Sequence, residues 1–316
     1  MISRRDSLKL IGAAAASAVL THSSCSRLPV RENSRFRYCL NTSTIRGQEP
    51  GLVGAIEIAA EAGYDGVELW VNEIKDYLNK GNSLSELYRI IQANNLVVEG
   101  AIGFAPWIVD DEQERHLGFR QMEEEMNLMS ELGCRRIAAP PAGYNNIPGL
   151  DYQEAGLRYR QLLDLGRKTG VMPHLEFWGA SRSLYNLGQA LLVAASANDP
   201  DVRLLGDVYH LFRGGSGFNG LNLLRGNIIE LFHMNDYPGD IPREEQNDAD
   251  RVFPGDGAAP MKSIIAQLDE MGGTKILSLE LFNREYWKMD ALAVASEGLQ
   301  KMKQMVGAPG YQVNHS

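Results

Sequence analysis

Four stretches in the second half of the chain share one pattern: a short apolar run that closes on a group able to bind a metal or move a proton. They are Met172–Trp178 (MPHLEFW) with Glu176, Val202–His210 (VRLLGDVYH) with Asp207, Ile228–Asp236 (IIELFHMND) with His233, and Lys275–Phe282 (KILSLELF) with Glu280. A carboxylate in such a run is not ordinary core, because burying it unpaired costs several kcal/mol or forces it to take up a proton. Three carboxylates and one imidazole brought together repel strongly unless a cation lies among them. Oxygen-rich ligation with one nitrogen suits Mn²⁺ first, then Mg²⁺ or Co²⁺, and is compatible with Zn²⁺. Glu176, Asp207, His233 and Glu280 are therefore the expected ligands of one divalent ion.

Convergence of that kind requires one strand end per residue. The pattern predicts strands at Arg37–Ile45, Gly66–Trp70, Val97–Phe104, Arg135–Pro140, Met172–Trp178, Val202–His210, Ile228–Asp236 and Lys275–Phe282. Between them, apolar residues recur at helical spacing, with glycine stops such as Gly63, Gly133 and Gly170. Strands that are near-continuous apolar runs are covered on both faces. Alternating β and α units with such strands predict a single-domain α/β fold, a (β/α)8 TIM barrel, whose functional residues sit at the C-terminal strand ends. An open doubly wound sheet is the rival, but no G-x-G-x-x-G follows the first strand. The acidic stretch Tyr237–Phe253 is too long for a minimal βα loop and is expected to cover a site.

The 316 residues, 44% of them hydrophobic, suffice for one barrel with a full core. A formal net charge of −9 argues against a nucleic-acid partner. At the start, paired arginines (Arg4, Arg5) precede the apolar run Leu10–Leu20, the layout of an export signal too short to span a membrane. It resembles a twin-arginine signal, with Ser7 where that motif usually has Phe. The expected organisation is an export signal over 1–24, a linker over 25–36, the barrel over 37–306 and a tail over 307–316, with a periplasmic location. Acylation of Cys25, which would leave a lipid anchor, is the alternative to ordinary signal cleavage. Cys39 and Cys134 are expected as buried free thiols.

Further motifs carry a resemblance. Asp207 with His210 three residues on, the FHMND run, the SLELF run, Gly63–Leu69 (GYDGVEL) and Arg251–Gly257 (RVFPGDG) are together similar to the sugar phosphate isomerase/epimerase superfamily with the xylose-isomerase-like TIM barrel. That superfamily includes ketose 3-epimerases, hydroxypyruvate isomerase and inosose dehydratase. The resemblance spans roughly Arg37–Met305. It implies a mechanism in which the ion chelates a ketone and its neighbouring hydroxyl. Glu176 and Glu280 would then be the catalytic acid/base pair, moving a proton through an enediolate, while Asp207 and His233 complete the ligands. His210 and Arg251 would bind sugar hydroxyls or the oxyanion, and Glu68 would contact substrate. His174 points the same way as Glu176, one layer deeper, and is expected to support or touch substrate. Trp178, with Trp70, Phe104 and Trp107, could stack on sugar faces or fill core.

The expected activity is a metal-dependent isomerase or epimerase of an unphosphorylated sugar or keto-sugar. The Pro-Gly-Asp-Gly turn carries an acid, and no basic glycine-rich cradle for phosphate follows the eighth strand. A lyase or dehydratase, for example one acting on a 3-keto-glycoside, would begin with the same proton abstraction. A three-zinc endonuclease of this fold needs more histidines than the six present, of which His22 and His315 lie at the ends. A non-catalytic sugar-binding protein would use the cleft without turnover. The sequence leaves oligomeric state open.

Overall fold

The computed structural model describes residues 35–307. The expected export signal, Cys25, and nearly all of the linker and tail lie outside the described residues. The strands are β1 (Phe36–Asn41), β2 (Gly66–Trp70), β3 (Val97–Ile102), β4 (Arg136–Ala139), β5 (Met172–Glu176), β6 (Leu204–Asp207), β7 (Leu231–Met234) and β8 (Lys275–Leu279). The helices are α1 (Gly51–Ala62), α2 (Val71–Asn79), α3 (Leu84–Ala93), α4 (Glu112–Glu131), α5 (Tyr152–Thr169), α6 (Leu187–Ala197), α7 (Val208–Arg213), α8 (Met261–Met271) and α9 (Ala291–Gly307). All strand pairs are parallel, in the order β3-β2-β1-β8-β7-β6-β5-β4. The result is a nearly closed (β/α)8 barrel. At the β3/β4 seam, Arg136 Nη1 donates to the Glu99 carbonyl (3.2 Å).

Two apolar clusters separate the layers. The larger lies between sheet and helices. The smaller fills the barrel axis with Cys39, Ile102, Ala138, Leu205, Leu231 and Ile276. Because side chains alternate along a strand, the residues two positions on from these also face the axis, one layer higher. They include Asn41, Asp207, His233 and Ser278. Register then sets neighbours: Asp207 pairs with His233, His233 with Ser278, and Asn41 with Glu68. Cys39 and Cys134 are free and buried, as expected.

Three differences from the expected elements matter. Strand β6 stops at Asp207, whose Oδ1 accepts from the His210 amide (2.8 Å) and caps α7. His210 therefore sits on a short helix, not on a strand. Thr42–Gln48 is 3-10 helix because the Asn41 side chain turns back to accept from Ser43 N (3.0 Å). The β2–β3 connection carries two helices, α2 and α3, where one was expected, while the β6–β7 connection carries α7 and brief 3-10 turns, as its short helical signal around Leu221–Leu224 implies.

Below the apolar layer lies a second polar one. Arg136 bridges Glu99 and Glu230, and Arg203 donates to Glu230 (3.1 Å). His174 is buried beside this network, and its Nε2 has no hydrogen-bond partner. Burial first, and the Arg136 charge second, push its pKa down from 6.5 to about 3. Between those values the unfolded chain binds a proton that the folded chain refuses, so stability falls as pH drops from about 6.5 towards 3. His174→Met should remove that slope. Urea unfolding should show the loss of stability between pH 7 and pH 5 shrinking by about 2 kcal/mol relative to wild type. An unchanged loss would mean that His174 is protonated in the folded state.

Candidate metal centre and cleft

The C-terminal mouth of the barrel gathers the four expected residues. Asp207, His233 and Glu280 are buried and offer ligand atoms within 4.8 Å of one another. His233 Nδ1 lies 3.5 Å from Asp207 Oδ2 and 3.2 Å from Glu280 Oε2 without hydrogen-bond alignment to either. An orphaned buried ring nitrogen aimed between two carboxylates fits a divalent cation. Its other nitrogen, Nε2, meets Glu68 Oε2 at 2.9 Å. That pairing fixes the ring so that Nδ1 faces the carboxylates. Glu176 joins at the edge, buried, with Oε1 4.0 Å from His210 Nε2.

Electrostatics distinguishes the carboxylates. Burial pushes Glu176 up to about 8, helped by the charges of Glu280 and Asp207 and opposed by His233. Burial alone would also raise Asp207, but Arg251, with His210 and His233, outweighs it and holds Asp207 well below the usual carboxylate range. Burial acts against charge on His233, yet Glu280 and Glu68 raise its pKa well above the usual imidazole value. A metal ion at Nδ1 needs the neutral ring there, so its binding competes with protons.

Arg251 is fully buried. Its Nη1 donates to Asp207 Oδ2 and Glu280 Oε2, both at 2.9 Å, and its Nη2 to Asp248 Oδ1 at 2.6 Å. His210 accepts from the Gly179 amide at Nδ1 (3.2 Å), and its Nε2, facing the cleft, lies 3.3 Å from Arg251 Nη2. Burial keeps His210 below its usual pKa.

Two residues expected to touch substrate sit elsewhere. Glu68 is buried beneath the mouth, with Oε2 taken by Asn41, His233 and Ser278 at 2.9, 2.9 and 2.7 Å. Gly100 makes room for it, since a Cβ there would come within 2.8 Å of Glu68 Oε1. His174 lies beside the lower polar layer described above. Trp178 lines the cleft, as do Trp70 and Phe104. Trp107 is core, its indole N–H donating to the Pro140 carbonyl (2.8 Å).

Sequence reasoning missed Asn41, Asn235 and Ser278. Asn41 Nδ2 reaches both Glu68 (2.9 Å) and Glu280 Oε1 (3.2 Å), and Asn235 Nδ2 donates to Asp207 Oδ2 (3.2 Å). Asp236 was also missed. Its carboxylate accepts from the amides of Tyr237, Gly255 and Ala259, and its backbone pairs with Val252. This fixes the loop that delivers Arg251. Gly257 allows the close approach, since a Cβ there would meet Asp236 Oδ1 at 2.4 Å. The cleft above encloses about 570 Å³ and has Gln246, Asn247 and Asp248 of the long acidic loop in its wall.

A (β/α)8 barrel with carboxylates and one imidazole meeting at its C-terminal mouth defines a class of small-molecule enzymes. The family model for the xylose isomerase-like TIM barrel matches residues 56–305, and the chain belongs to that family. It is 27% identical over 267 residues to an inosose isomerase of Bacillus velezensis, covering 81% of this chain and 92% of that protein. It is 25% identical over 258 residues to a 3-dehydroshikimate dehydratase of Pseudomonas aeruginosa, covering 78% of this chain and 38% of that protein. Among solved structures, that of the IOLI protein with a binding zinc atom superposes with a TM-score of 0.79 at 24% identity, over 85% of this chain and 98% of that one.

If Glu68 fixes His233 as described, Glu68→Gln should weaken Mn²⁺ binding roughly 10–100-fold by titration calorimetry, while Glu280→Gln should weaken it further. Equal affinity for wild type and Glu68→Gln would detach Glu68 from the centre.

Proposed function

We propose that the protein is a divalent-metal-dependent isomerase or epimerase of an unphosphorylated sugar or keto-sugar. The observation that carries this reading is the meeting of Asp207, His233 Nδ1 and Glu280 beside the buried carboxyl group of Glu176. Asp207, His233 and Glu280 would hold the ion, with Glu176 as the fourth ligand; Mn²⁺ suits this set, and the zinc of the similar IOLI structure supports a divalent ion. The chemistry such an ion supplies when bound is Lewis-acid polarisation of a carbonyl.

The side chains of this chain do the rest. Glu176, a buried carboxylate on the wall of the cleft, takes a proton from the carbon beside the carbonyl. In an isomerisation Glu176 hands that proton back at the former carbonyl carbon. In an epimerisation Glu280, across the floor beside Arg251 and Asn41 and starting in its acid form, gives its proton to the opposite face of the same carbon, and water then restores both carboxyl groups. Arg251 and His210 orient the substrate oxygens. The names of the relatives, an inosose isomerase and a dehydratase, are consistent with proton removal beside a carbonyl.

A dehydratase or lyase is the second reading. It is favoured by the position of His210 Nε2, 4.0 Å from Glu176, where it could protonate a departing oxygen.

Keto-sugars and 3-keto-glycosides incubated with the protein and Mn²⁺ in D₂O, followed by NMR, separate the readings. Deuterium in recovered sugar supports the isomerase, and loss of water or aglycone supports the lyase. Glu176→Gln should slow either process by roughly 10²–10⁴-fold while retaining the fold by circular dichroism. Exchange at the wild-type rate in that variant would remove Glu176 from the chemistry.

The reading also takes residues 1–24 as an export signal, placing the enzyme where unphosphorylated sugars are met. Expression in a twin-arginine-competent bacterium should give a shortened, periplasmic product, and Arg4→Lys/Arg5→Lys should hold it in the cytoplasm at full length. A full-length cytoplasmic wild-type protein would refute export.

A further inference from the structure

The strand ends repeat a motif that proton transfer does not use. Glu68, Glu176 and Glu280 are each followed two residues on by an aromatic: Trp70, Trp178 and Phe282. Ile102, in the axial apolar layer, is followed in the same way by Phe104. Alternation carries each aromatic beyond the residue it follows, towards the mouth. The four rings form a continuous arc. Phe282 to Trp70, Trp70 to Phe104 and Phe104 to Trp178 have centroid separations of 6.1, 5.4 and 6.1 Å. That arc is longer than one sugar ring.

Its location divides it. The carboxylates and imidazole come from β5 to β8, so a reacting ring must lie over that side. Trp70 and Phe104 leave β2 and β3, across the barrel from β6 and β7. They stand further round the rim than Trp178 and Phe282, which follow Glu176 and Glu280 on their own strands. Phe104 is 42% exposed, an unusual state for a phenyl ring inside a cleft, whereas Trp107 nearby is wholly buried core. Trp70 is held rigid: its Nε1 donates to Asn41 Oδ1 (2.8 Å), and Arg46, itself paired with Glu73 (3.0 Å), covers it at 3.9 Å. A fixed platform loses little freedom when a ligand lands on it. Volume agrees. Allowing each of about 12 non-hydrogen atoms of a six-carbon sugar the ~30 Å³ of a liquid water, one ring fills at most about 360 Å³ and the about 23 atoms of a two-ring sugar at most about 690 Å³. One ring thus leaves the cleft part-filled, and an outer ring emerges at its open side. The cleft encloses about 570 Å³, and the amides of Asn145 and Asn146 stand on its wall.

We infer that the cleft takes a sugar bearing a second ring, a glycoside or disaccharide, with the reacting ring over the carboxylates and the outer ring on Trp70 and Phe104. This rests on the sugar-enzyme reading above and narrows its substrate class.

The test uses the full chain with Mn²⁺ and compares cellobiose, maltose and sucrose with glucose and myo-inositol, by calorimetry and saturation-transfer NMR. At least one two-ring sugar should bind about tenfold more tightly than either single ring, with saturation reaching its outer ring. Phe104→Ala should cut that preference about tenfold, and Phe104→Tyr should restore it. Equal affinity for one and two rings, a preference untouched by Phe104→Ala, or no binding of any two-ring sugar would overturn the inference. Failure of the catalytic reading looks different: no deuterium exchange and no elimination with any keto-sugar, whichever rings bind.

Discussion

The structure depends on how it tolerates negative charge where water is excluded. Glu68, Glu176, Asp207 and Glu280 are all buried at one end of the barrel. Isolated ionised carboxylates in such a place are prohibitively costly, so each must be paired, hydrogen-bonded or protonated. All three devices appear. Arg251 faces Asp207 and Glu280, Asn41, Ser278 and His233 satisfy Glu68, and Glu176 is pushed towards the protonated state. One guanidinium is insufficient for four carboxylates. The remaining deficit is what makes the centre receptive to a divalent cation, and it explains why an imidazole nitrogen can be left without a hydrogen bond.

That single guanidinium must itself be delivered. Arg251 belongs to no strand, and a buried arginine is useful only if its backbone is held. Asp236 does this by two routes, a pair of backbone hydrogen bonds to Val252 and a carboxylate that gathers amides of the following turn. Asn283 closes the arrangement by donating to the Arg251 carbonyl (2.9 Å). The long acidic loop is thus a carrier for one positive charge, and its acids on the outer side, such as Asp248, hold the other edge of the guanidinium. Removing one partner from such a set leaves a charge stranded, which generally costs about 3–5 kcal/mol.

Much of this was legible in the chain. Apolar runs that close on Glu176, Asp207, His233 and Glu280 announce strand ends, and parallel strands announce themselves by being apolar on both faces. Depth was harder to read. Alternation shows that Glu68 and His174 face the axis, but stagger between strands decides which layer they occupy, and it put both below the cleft. Asn41, Asn235 and Ser278 carry no signal of their own, since amides and hydroxyls end many strands. Their meaning comes only from register across the sheet. His210 looked like strand because Val208 and Tyr209 favour it. The Asp207 cap overrode that preference. Helix α2 escaped notice because it starts at a β-branched residue, Val71, with no capping side chain before it.

The layering separates what the site does from what it accepts. The floor is built from strands whose positions are locked by neighbouring ladders, and on the proposed reading its chemistry is proton transfer beside a carbonyl. Isomerisation, epimerisation and elimination all begin that way. The difference among them lies in which group sits next to the carbon that has lost its proton, and that is decided by how the substrate is held from above. In this chain the holding surface is the aromatic layer and the loops carrying Asn145, Asn146 and Gln246. On the proposed reading, then, the floor sets the first step and the rim chooses the last.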